Sequence, residues 1–496
     1  MGKSGLRREL GLLHATMMGI GGAICAGIFV LIGHATSMAG NAVVIAFLIC
    51  GIINLFTMCS YAELGASMPK AGGEHAFAKA AFGGFIAFIT GWFEWLSNMF
   101  YAALSSVGFA YIITYTLSGF IPVENPVVIP TIAITMVIIF ALVNIRGVKE
   151  VGSVQVIMIA ILLAILVAYI VGGLQHIQGM NEFQLSMPKG LWGVIGASAY
   201  LFVVYLGAEA IAVAQAEIKE PSKTIPRAIL LSAGVLIAVY TLIAYVTVRI
   251  VPPETLAGQT APMTFAAEQL MGKLGLILFT VAGSIAALSS LNTSIMAQSR
   301  VAYALSLEGY LPKGLSKVHE RFGTPHVAVI FGSIFTGILA ATGIVEFVSY
   351  ATNFGFIIGF TLVNLSLIRL RKKEPHLKRP FKTPLYPFTP IAGIITSLML
   401  LMFIEPAVLT LGAELGILAL LAYYVIMMGY SRIRIAFGGM NLGIGGLGLL
   451  LAYLIKSNLI SLPGMLAQWT NMLFYGLIFV SVVYILAGVL NATTKP

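Results

Sequence analysis

The chain has 496 residues, of which 59% are hydrophobic and 9% are charged, and its mean hydropathy is +0.98. A soluble domain carries about 25% charged residues, so the composition excludes a soluble globular protein and predicts an all-α polytopic membrane protein. We attribute the formal charge of +10 to positively charged cytoplasmic loops that face anionic lipid, and we expect no nucleic-acid partner.

Apolar segments long enough to cross about 30 Å of hydrocarbon recur along the whole chain. We predict fourteen spans, at residues 12–35, 42–67, 83–116, 127–145, 151–173, 191–213, 227–250, 273–298, 326–344, 347–369, 388–404, 409–430, 438–455 and 470–490. With a cytoplasmic N-terminus, every lysine and arginine lies on the cytoplasmic side except Lys189, Arg249, Lys273 and Lys456. The positive-inside rule therefore predicts a protein of the cytoplasmic membrane with both termini in the cytoplasm.

The first span contains the glycine-rich stretch Gly-Ile-Gly-Gly-Ala-Ile-Cys-Ala-Gly-Ile-Phe at residues 19–29. Each glycine costs a helix about 1 kcal/mol relative to alanine, so we predict that this helix breaks inside the membrane. Unpaired backbone is tolerated there only where it lines a cavity or meets a ligand. The break therefore predicts a site for a small polar ligand.

A second break is predicted in the sixth span, where Glu209 places a carboxylate inside an apolar segment at residues 202–209. Interrupted helices at matching positions of two inverted repeats point to a transport site. We therefore predict one five-helix repeat over 1–173, an inverted one over 191–369, and four accessory helices over 388–490.

Several motifs resemble one known family. They are Tyr61-Ala-Glu-Leu-Gly-Ala-Ser-Met-Pro69-Lys70, Gly91-Trp92, Glu217-Ile-Lys-Glu-Pro221, Ser299-Arg300-Val-Ala-Tyr303-Ala304 and Arg379-Pro380-Phe381-Lys382-x-Pro384-Leu385-Tyr386-Pro387. On these residues the chain resembles the amino acid–polyamine–organocation superfamily, and within it the cationic amino acid transporter branch. The resemblance implies the leucine-transporter fold, with a 5+5 inverted repeat and broken first and sixth helices, and transport by alternating access.

The resemblance also implies where a zwitterionic amino acid binds. The family's first-span amides hold the substrate carboxylate, which maps to Ala26 and Gly27, with Ala23 and Cys25 flanking them. Its sixth-span carbonyls hold the α-ammonium, which maps to Val203, Val204 and Leu206. Exposed amides at the N-terminus of a half-helix do attract an anion.

This chain departs from the family pattern at both breaks. Cys25 stands where the family usually has glycine, and we read it as a small structural residue rather than a redox sensor. At the sixth-span break, Val203 and Ala208 stand where the family has phenylalanine. We therefore expect tolerance of a large substrate side chain, unless another aromatic residue replaces the missing rings.

The coupling ion is left open between a proton and sodium, and no other cofactor is expected. The fifth-span lysine of some proton-coupled relatives corresponds to Leu162 here, so that proton mechanism is not expected. Ser289 and Ser290 follow Ala286 in a pattern that resembles a family sodium site. Serines in spans, however, more often bond to the carbonyl four residues back.

A polar face runs along the third span, because Glu94, Asn98, Tyr101 and Ser105 are spaced at helical intervals. One interpretation is a satisfied interhelical hydrogen-bond network. The other is that Glu94 binds the cationic end of a substrate or takes up a proton. Tyr205 and Glu209 are further pocket or coupling candidates, with a structural or gating role favoured for Glu209, and we expect Glu63 to pair with a loop cation.

We therefore predict a secondary active transporter for a cationic or bulky amino acid, with membrane lipid as its surroundings and no assignment of oligomeric state. Two alternatives stay open: a polyamine or amine transporter of the same superfamily, and a non-transporting amino acid sensor on the same fold. No residue pattern indicates covalent or metal chemistry, so we do not expect an enzyme.

Overall fold

The computed structural model describes residues 10–68, 73–118, 127–146, 151–178, 185–213, 215, 218–427, 432–456 and 470–493. Pro69, Lys70 and Glu217 of the family motifs lie outside these residues. The described part is almost entirely helical, as the composition predicts. Outside the helices it shows an isolated parallel β-bridge, in which Leu10 pairs with Ile218.

The helices follow the predicted spans closely. In chain order they are α1 (Leu12–Ala23), α2 (Ala26–Ala39), α3 (Val43–Ser67), α4 (Gly73–Phe82), α5 (Gly84–Thr116), α6 (Val128–Arg146), α7 (Val151–Ile177), α8 (Gly190–Leu201), α9 (Ala210–Val213), α10 (Pro221–Ile250), α11 (Pro253–Ala257), α12 (Pro262–Leu307), α13 (His326–Ala340), α14 (Val345–Lys373), α15 (Phe388–Leu401), α16 (Pro406–Met427), α17 (Arg432–Lys456) and α18 (Thr470–Thr493). Short 3₁₀ turns occupy Gly40–Ala42, Phe202–Tyr205 and Lys313–Ser316.

Length and apolar composition identify the spanning helices. Among the described residues, nine helical segments are long and apolar enough to cross a membrane, or up to ten if a bent pair forms one span. Leu12–Ala23 and His326–Ala340 are shorter apolar helices. The chain is thus a polytopic membrane protein, while the count of fourteen spans and the two five-helix repeats stay predictions.

Both predicted helix breaks are present. The first helix stops at Ala23 and resumes at Ala26, with extended backbone at Ile24 and Cys25. The sixth changes from α8 to a 3₁₀ turn and then to extended backbone at Leu206, before Gly207 with a φ of 134°.

The position of the first break corrects one expectation. Gly19, Gly21 and Gly22 lie inside α1 rather than in the break. A Cβ on Gly19 would lie 2.7 Å from a side-chain atom of Ile211, and one on Gly22 would lie 2.9 Å from Gly207 O. These two glycines therefore allow close packing, and the extended backbone falls on non-glycine residues.

The chain forms two compact units. The first comprises residues 1–304 and 314–404, in which α3 packs along α10, α5 along α14, and α1 against both α7 and α10. The second comprises residues 305–313 and 405–496, in which α17 packs along α18. Gly445 permits that close contact, since a Cβ there would lie 2.8 Å from Ser481 O.

A buried ionic network at the end of α3 confirms the predicted pairing of Glu63. Its carboxylate, which has no exposed surface, accepts hydrogen bonds from Arg371 Nε at 2.9 Å and Nη2 at 2.5 Å. Arg379 Nε lies 3.3 Å from the same carboxylate, and Thr383 N donates to it at 2.7 Å. Because Arg371 also lies over the ring of Tyr386, the network joins α3 to the end of α14 and to the loop that follows.

Candidate substrate site

The first break exposes the N-terminus of α2, a helix of 14 residues. Cys25 precedes it with extended backbone, and the Gly27 amide donates a hydrogen bond to Cys25 Sγ at 3.2 Å. A thioether or thiol sulfur is a weak acceptor, so a carboxylate would be a stronger partner for this amide. The amides of Ala26 and Gly27 are thus placed at a helix N-terminus that favours an anion.

The side chain of Glu209, within the second break, stabilises that break. Leu206 has extended backbone, and the Gly207 amide donates to Glu209 Oε2 at 2.7 Å. A carboxylate that accepts a backbone hydrogen bond two residues away holds the chain in its non-helical path. This contact favours the structural alternative for Glu209.

The two breaks meet, and one hydroxyl lies where they do. Tyr101 of α5 donates a hydrogen bond to Gly22 O at 3.0 Å, and its hydroxyl lies 3.4 Å from both Ala23 O and Leu206 O. Tyr240 donates to Ala23 O at 3.3 Å. Carbonyl oxygens from both breaks therefore converge on the neutral Tyr101 hydroxyl, with Tyr240 as a second donor to one of them, whereas an ammonium group would offer them three N–H donors.

Neighbouring side chains of the sixth-span break face different parts of the protein. Val203 O accepts the amide of Leu206 at 3.2 Å. Val204 faces the first break, since a Cβ on Gly27 would lie 3.1 Å from Val204 Cγ1. Tyr205 turns to other helices: its hydroxyl donates to Phe47 O at 2.8 Å and its ring packs against Tyr240. Tyr205 is thus a packing residue in this arrangement.

Glu94 and Asn98 lie on α5 before Tyr101. Asn98 Nδ2 donates to Glu94 O at 2.8 Å, a local bond within the helix. Glu94 is 7% exposed, and within the described residues its Oε2 has no hydrogen-bond partner. Seven residues separate Glu94 from Tyr101, which is about 10 Å along a helix, and side chains tilt toward the helix N-terminus. The Glu94 carboxylate is therefore displaced along α5 from the meeting point of the breaks.

The serine pair of α12 makes ordinary helix contacts. Ser290 Oγ donates to Ala286 O at 2.9 Å and lies 2.8 Å from Ser105 Oγ on α5. Ser289 O accepts from Thr293 Oγ1. Ser290 thus bonds to the carbonyl four residues back, as serines in spans commonly do. Sodium binding by Ser289 and Ser290 stays a prediction.

Sequence reasoning missed Glu74 as a candidate. It lies on α4, is 2% exposed, and its Oε1 accepts a hydrogen bond from Tyr61 Oη. A Cβ on Gly359 of α14 would overlap its Oε2. The pairing of Gly355 with Gly359 in the tenth span is the sequence signal for such a close approach, but the partner of that face was not evident.

Comparison with known proteins shows which family the chain is similar to. Residues 10–430 match the family described as amino acid permease. The branched-chain amino acid permease BcaP of Bacillus subtilis (strain 168) is 30% identical over 417 residues, covering 81% of this chain and 89% of that protein. The methylthioribose transporter of the same organism is 30% identical over 410 residues, covering 78% and 87%. The cystine/glutamate transporter of Homo sapiens is 30% identical over 440 residues, covering 85% and 86%.

Proposed function

This chain belongs to the amino acid permease family and carries amino acids across the membrane, and from that premise we propose that its substrate is a zwitterionic amino acid with a large apolar side chain. Transport proceeds by alternating access, with both termini in the cytoplasm. The substrate carboxylate binds the amides of Ala26 and Gly27, and the α-ammonium binds carbonyls of the two breaks.

The observation that carries this proposal is the convergence of carbonyl oxygens on Tyr101 Oη. Gly22 O, Ala23 O and Leu206 O lie within 3.4 Å of that hydroxyl. An α-ammonium that replaces the hydroxyl satisfies three carbonyls with three donors, and hydrogen bonds to charged groups are worth about 1.5–3 kcal/mol each.

The side chains around the breaks favour an apolar substrate. Val204 and Leu206 are fully buried at the second break, and the ring of Phe356 packs edge-on against Tyr101. Phe356 thus supplies an aromatic ring near the site although the family's phenylalanines are absent from the sixth span. The named substrate of the Bacillus subtilis relative BcaP, a branched-chain amino acid, belongs to the same chemical class.

A cationic substrate is the second candidate, because Glu94 carries a buried oxygen without a described partner. Glu94 is displaced by about 10 Å along α5 from Tyr101. It therefore lies beyond the positions that we assign to the substrate's carboxylate and α-ammonium. A long arginine or lysine side chain is the one kind of substrate that would reach toward it.

The test uses the purified protein and measures thermal stabilisation, since a ligand that binds the folded state raises the unfolding temperature. Leucine is compared with 3-methylbutylamine, which lacks the carboxylate, and with 4-methylpentanoate, which lacks the ammonium. We expect each truncated analogue to bind roughly 10- to 100-fold more weakly than leucine, because each loses charged hydrogen bonds. Arginine, glutamate, methylthioribose and putrescine complete the panel, in sodium and sodium-free buffers.

Other outcomes would redirect the proposal. Stabilisation by arginine that is lost in Glu94→Gln would favour the cationic candidate. Stabilisation by putrescine alone would contradict the carboxylate site and identify an amine carrier. Leucine binding without leucine flux in proteoliposomes would identify a sensor.

A further inference from the structure

A second buried polar cluster lies on α4, α5 and α14. Glu74 Oε2, Glu94 Oε2 and Ser97 Oγ are buried, and in the described part of the chain none of these atoms has a hydrogen-bond partner. Glu74 is 2%, Glu94 7% and Ser97 0% exposed. Unpaired buried polar groups are costly, so three of them in one place call for a ligand that binds there.

Two glycines of α14 bring these groups together. A Cβ on Gly355 would overlap Ser97 Oγ and would lie 3.1 Å from Phe93 O, so the turn of α5 that includes Glu94 packs on Gly355. A Cβ on Gly359 would overlap Glu74 Oε2. The two glycines are one turn apart, about 6 Å along the helix axis. Ser97 Oγ and the Glu74 carboxyl group therefore pack on neighbouring turns of the same face of α14, and the Glu74 and Glu94 carboxyl groups interact electrostatically.

Among the described residues, no cation forms an ion pair with the Glu74 carboxylate. Tyr61 of α3 donates to its Oε1, and Glu94 and Glu209 interact with this region electrostatically. The cations Arg369 and Lys373 of α14 instead donate to carbonyls at the other end of α4, those of Ala81 and Ala80. His75 Nδ1 lies 2.7 Å from Ala87 O.

A proton is the ligand that fits this cluster. Within the described residues no group of three or more His, Cys, Asp or Glu side chains is placed to hold a metal ion. Glu74 lies on α4, outside the spanning segments, and burial raises its pKa to about 8, with the Glu209 charge acting in the same direction and the Tyr61 hydrogen bond opposing it. A carboxyl group with such a pKa holds its proton near neutral pH and releases it when the surroundings become wetter.

We propose that Glu74, with Glu94 beside it, is the proton-binding site that couples proton movement to amino acid transport. This inference rests on the proposed function, because coupling requires that an amino acid be transported. In each cycle one proton binds the Glu74 carboxylate on one side of the membrane and leaves it on the other.

The test uses the full-length protein in proteoliposomes with radiolabelled leucine and an internal pH dye. Counterflow, the exchange of labelled for unlabelled leucine, needs no net proton movement. When an inwardly directed proton gradient is imposed, we expect wild-type protein to accumulate leucine in the lumen and to acidify the lumen. We expect Glu74→Gln to lose both of these activities and to keep counterflow, because its amide imitates the protonated carboxyl and still accepts the Tyr61 hydrogen bond. Glu74→Asp, which titrates, should restore part of the accumulation.

Infrared difference spectra supply a readout that needs no transport. A protonated carboxyl band at pH 7 should be present in the wild type and reduced in Glu74→Gln, and unchanged in Glu254→Gln, an acid that is exposed on α11.

Three results would overturn the inference. They are proton-driven accumulation by Glu74→Gln, loss of its counterflow as well, which would make Glu74 structural, and net leucine uptake by the wild type without any proton uptake. None of these contradicts the proposed substrate. Failure of the wild type to bind or exchange leucine would instead contradict the proposed function.

Discussion

At the scale of single residues, Cys25 gives the first break a property that a glycine there would not give. Its sulfur accepts the Gly27 amide, the same N–H that we assign to the substrate carboxylate. The substrate must therefore displace a side chain of the protein before it binds. The strength of that internal hydrogen bond helps to set the affinity of the site.

Two substitutions of Cys25 should act in opposite directions. Cys25→Ala removes the competing acceptor, so leucine should bind roughly two- to threefold more tightly, as expected for a weak hydrogen bond. Cys25→Ser replaces sulfur with a better acceptor and should weaken binding. Isothermal titration of the purified variants measures both constants. Cys59→Ala, at a buried cysteine of α3, is the control, and weaker binding by Cys25→Ala would contradict this role.

At the scale of helices, α1 and the second break are in direct backbone contact. A Cβ on Gly22 would lie 2.9 Å from Gly207 O. Backbone cannot move aside as a flexible side chain can, and overpacking costs about 1–3 kcal/mol. Alanine at Gly22 should therefore separate α1 from residues 206–207 and pull the converging carbonyls apart.

The expected result for Gly22→Ala is loss of leucine binding with the helical content retained. Circular dichroism and scintillation proximity binding distinguish these two effects. Gly234→Ala on α10 is the matched control, since a Cβ there meets nothing within 4 Å, and it should bind like the wild type. Unchanged binding by Gly22→Ala would show that the contact between α1 and the second break is dispensable.

The sequence predicts these helices better than it predicts their contacts. Glycine frequency and an internal carboxylate locate both broken spans, because backbone preference and the cost of a charge in lipid are local properties. The glycines of α1, however, are helical, and the break falls at Ile24 and Cys25, because packing against residues 207 and 211 decides where the helix ends. Glu74 was missed for the same reason: its burial depends on Gly359, which lies far away in the sequence.

At the scale of the whole chain, the Glu63 network links helices that are distant in sequence. Two arginines and the Thr383 amide surround a carboxylate with no exposed surface. Removing one partner of a buried ion pair leaves an uncompensated charge, at a cost of about 3–5 kcal/mol. The network therefore fixes the loop after α14 against the end of α3.

Glu63→Gln should lower the midpoint of thermal unfolding clearly, because two partly buried arginines lose their counter-charge. Glu220→Gln is the comparison, since Glu220 pairs with Lys223 at 3.5 Å and both side chains are largely exposed. Exposed pairs contribute at most about 1 kcal/mol, so this variant should unfold near the wild-type temperature. Equal decreases in the unfolding midpoint for the two substitutions would contradict the conclusion that the Glu63 network stabilises the fold.

The β-bridge between Leu10 and Ile218 has a mechanical consequence. Leu10 O accepts the Lys219 amide at 2.9 Å, immediately before α1 begins and shortly before α10 begins. A pull on the N-terminus is therefore carried through this pairing to the segment between α9 and α10 as well as into α1. The β-bridge thus connects the start of the broken first helix to the segment that follows the broken sixth helix. A force applied to the chain before residue 10 therefore acts on both halves of the site.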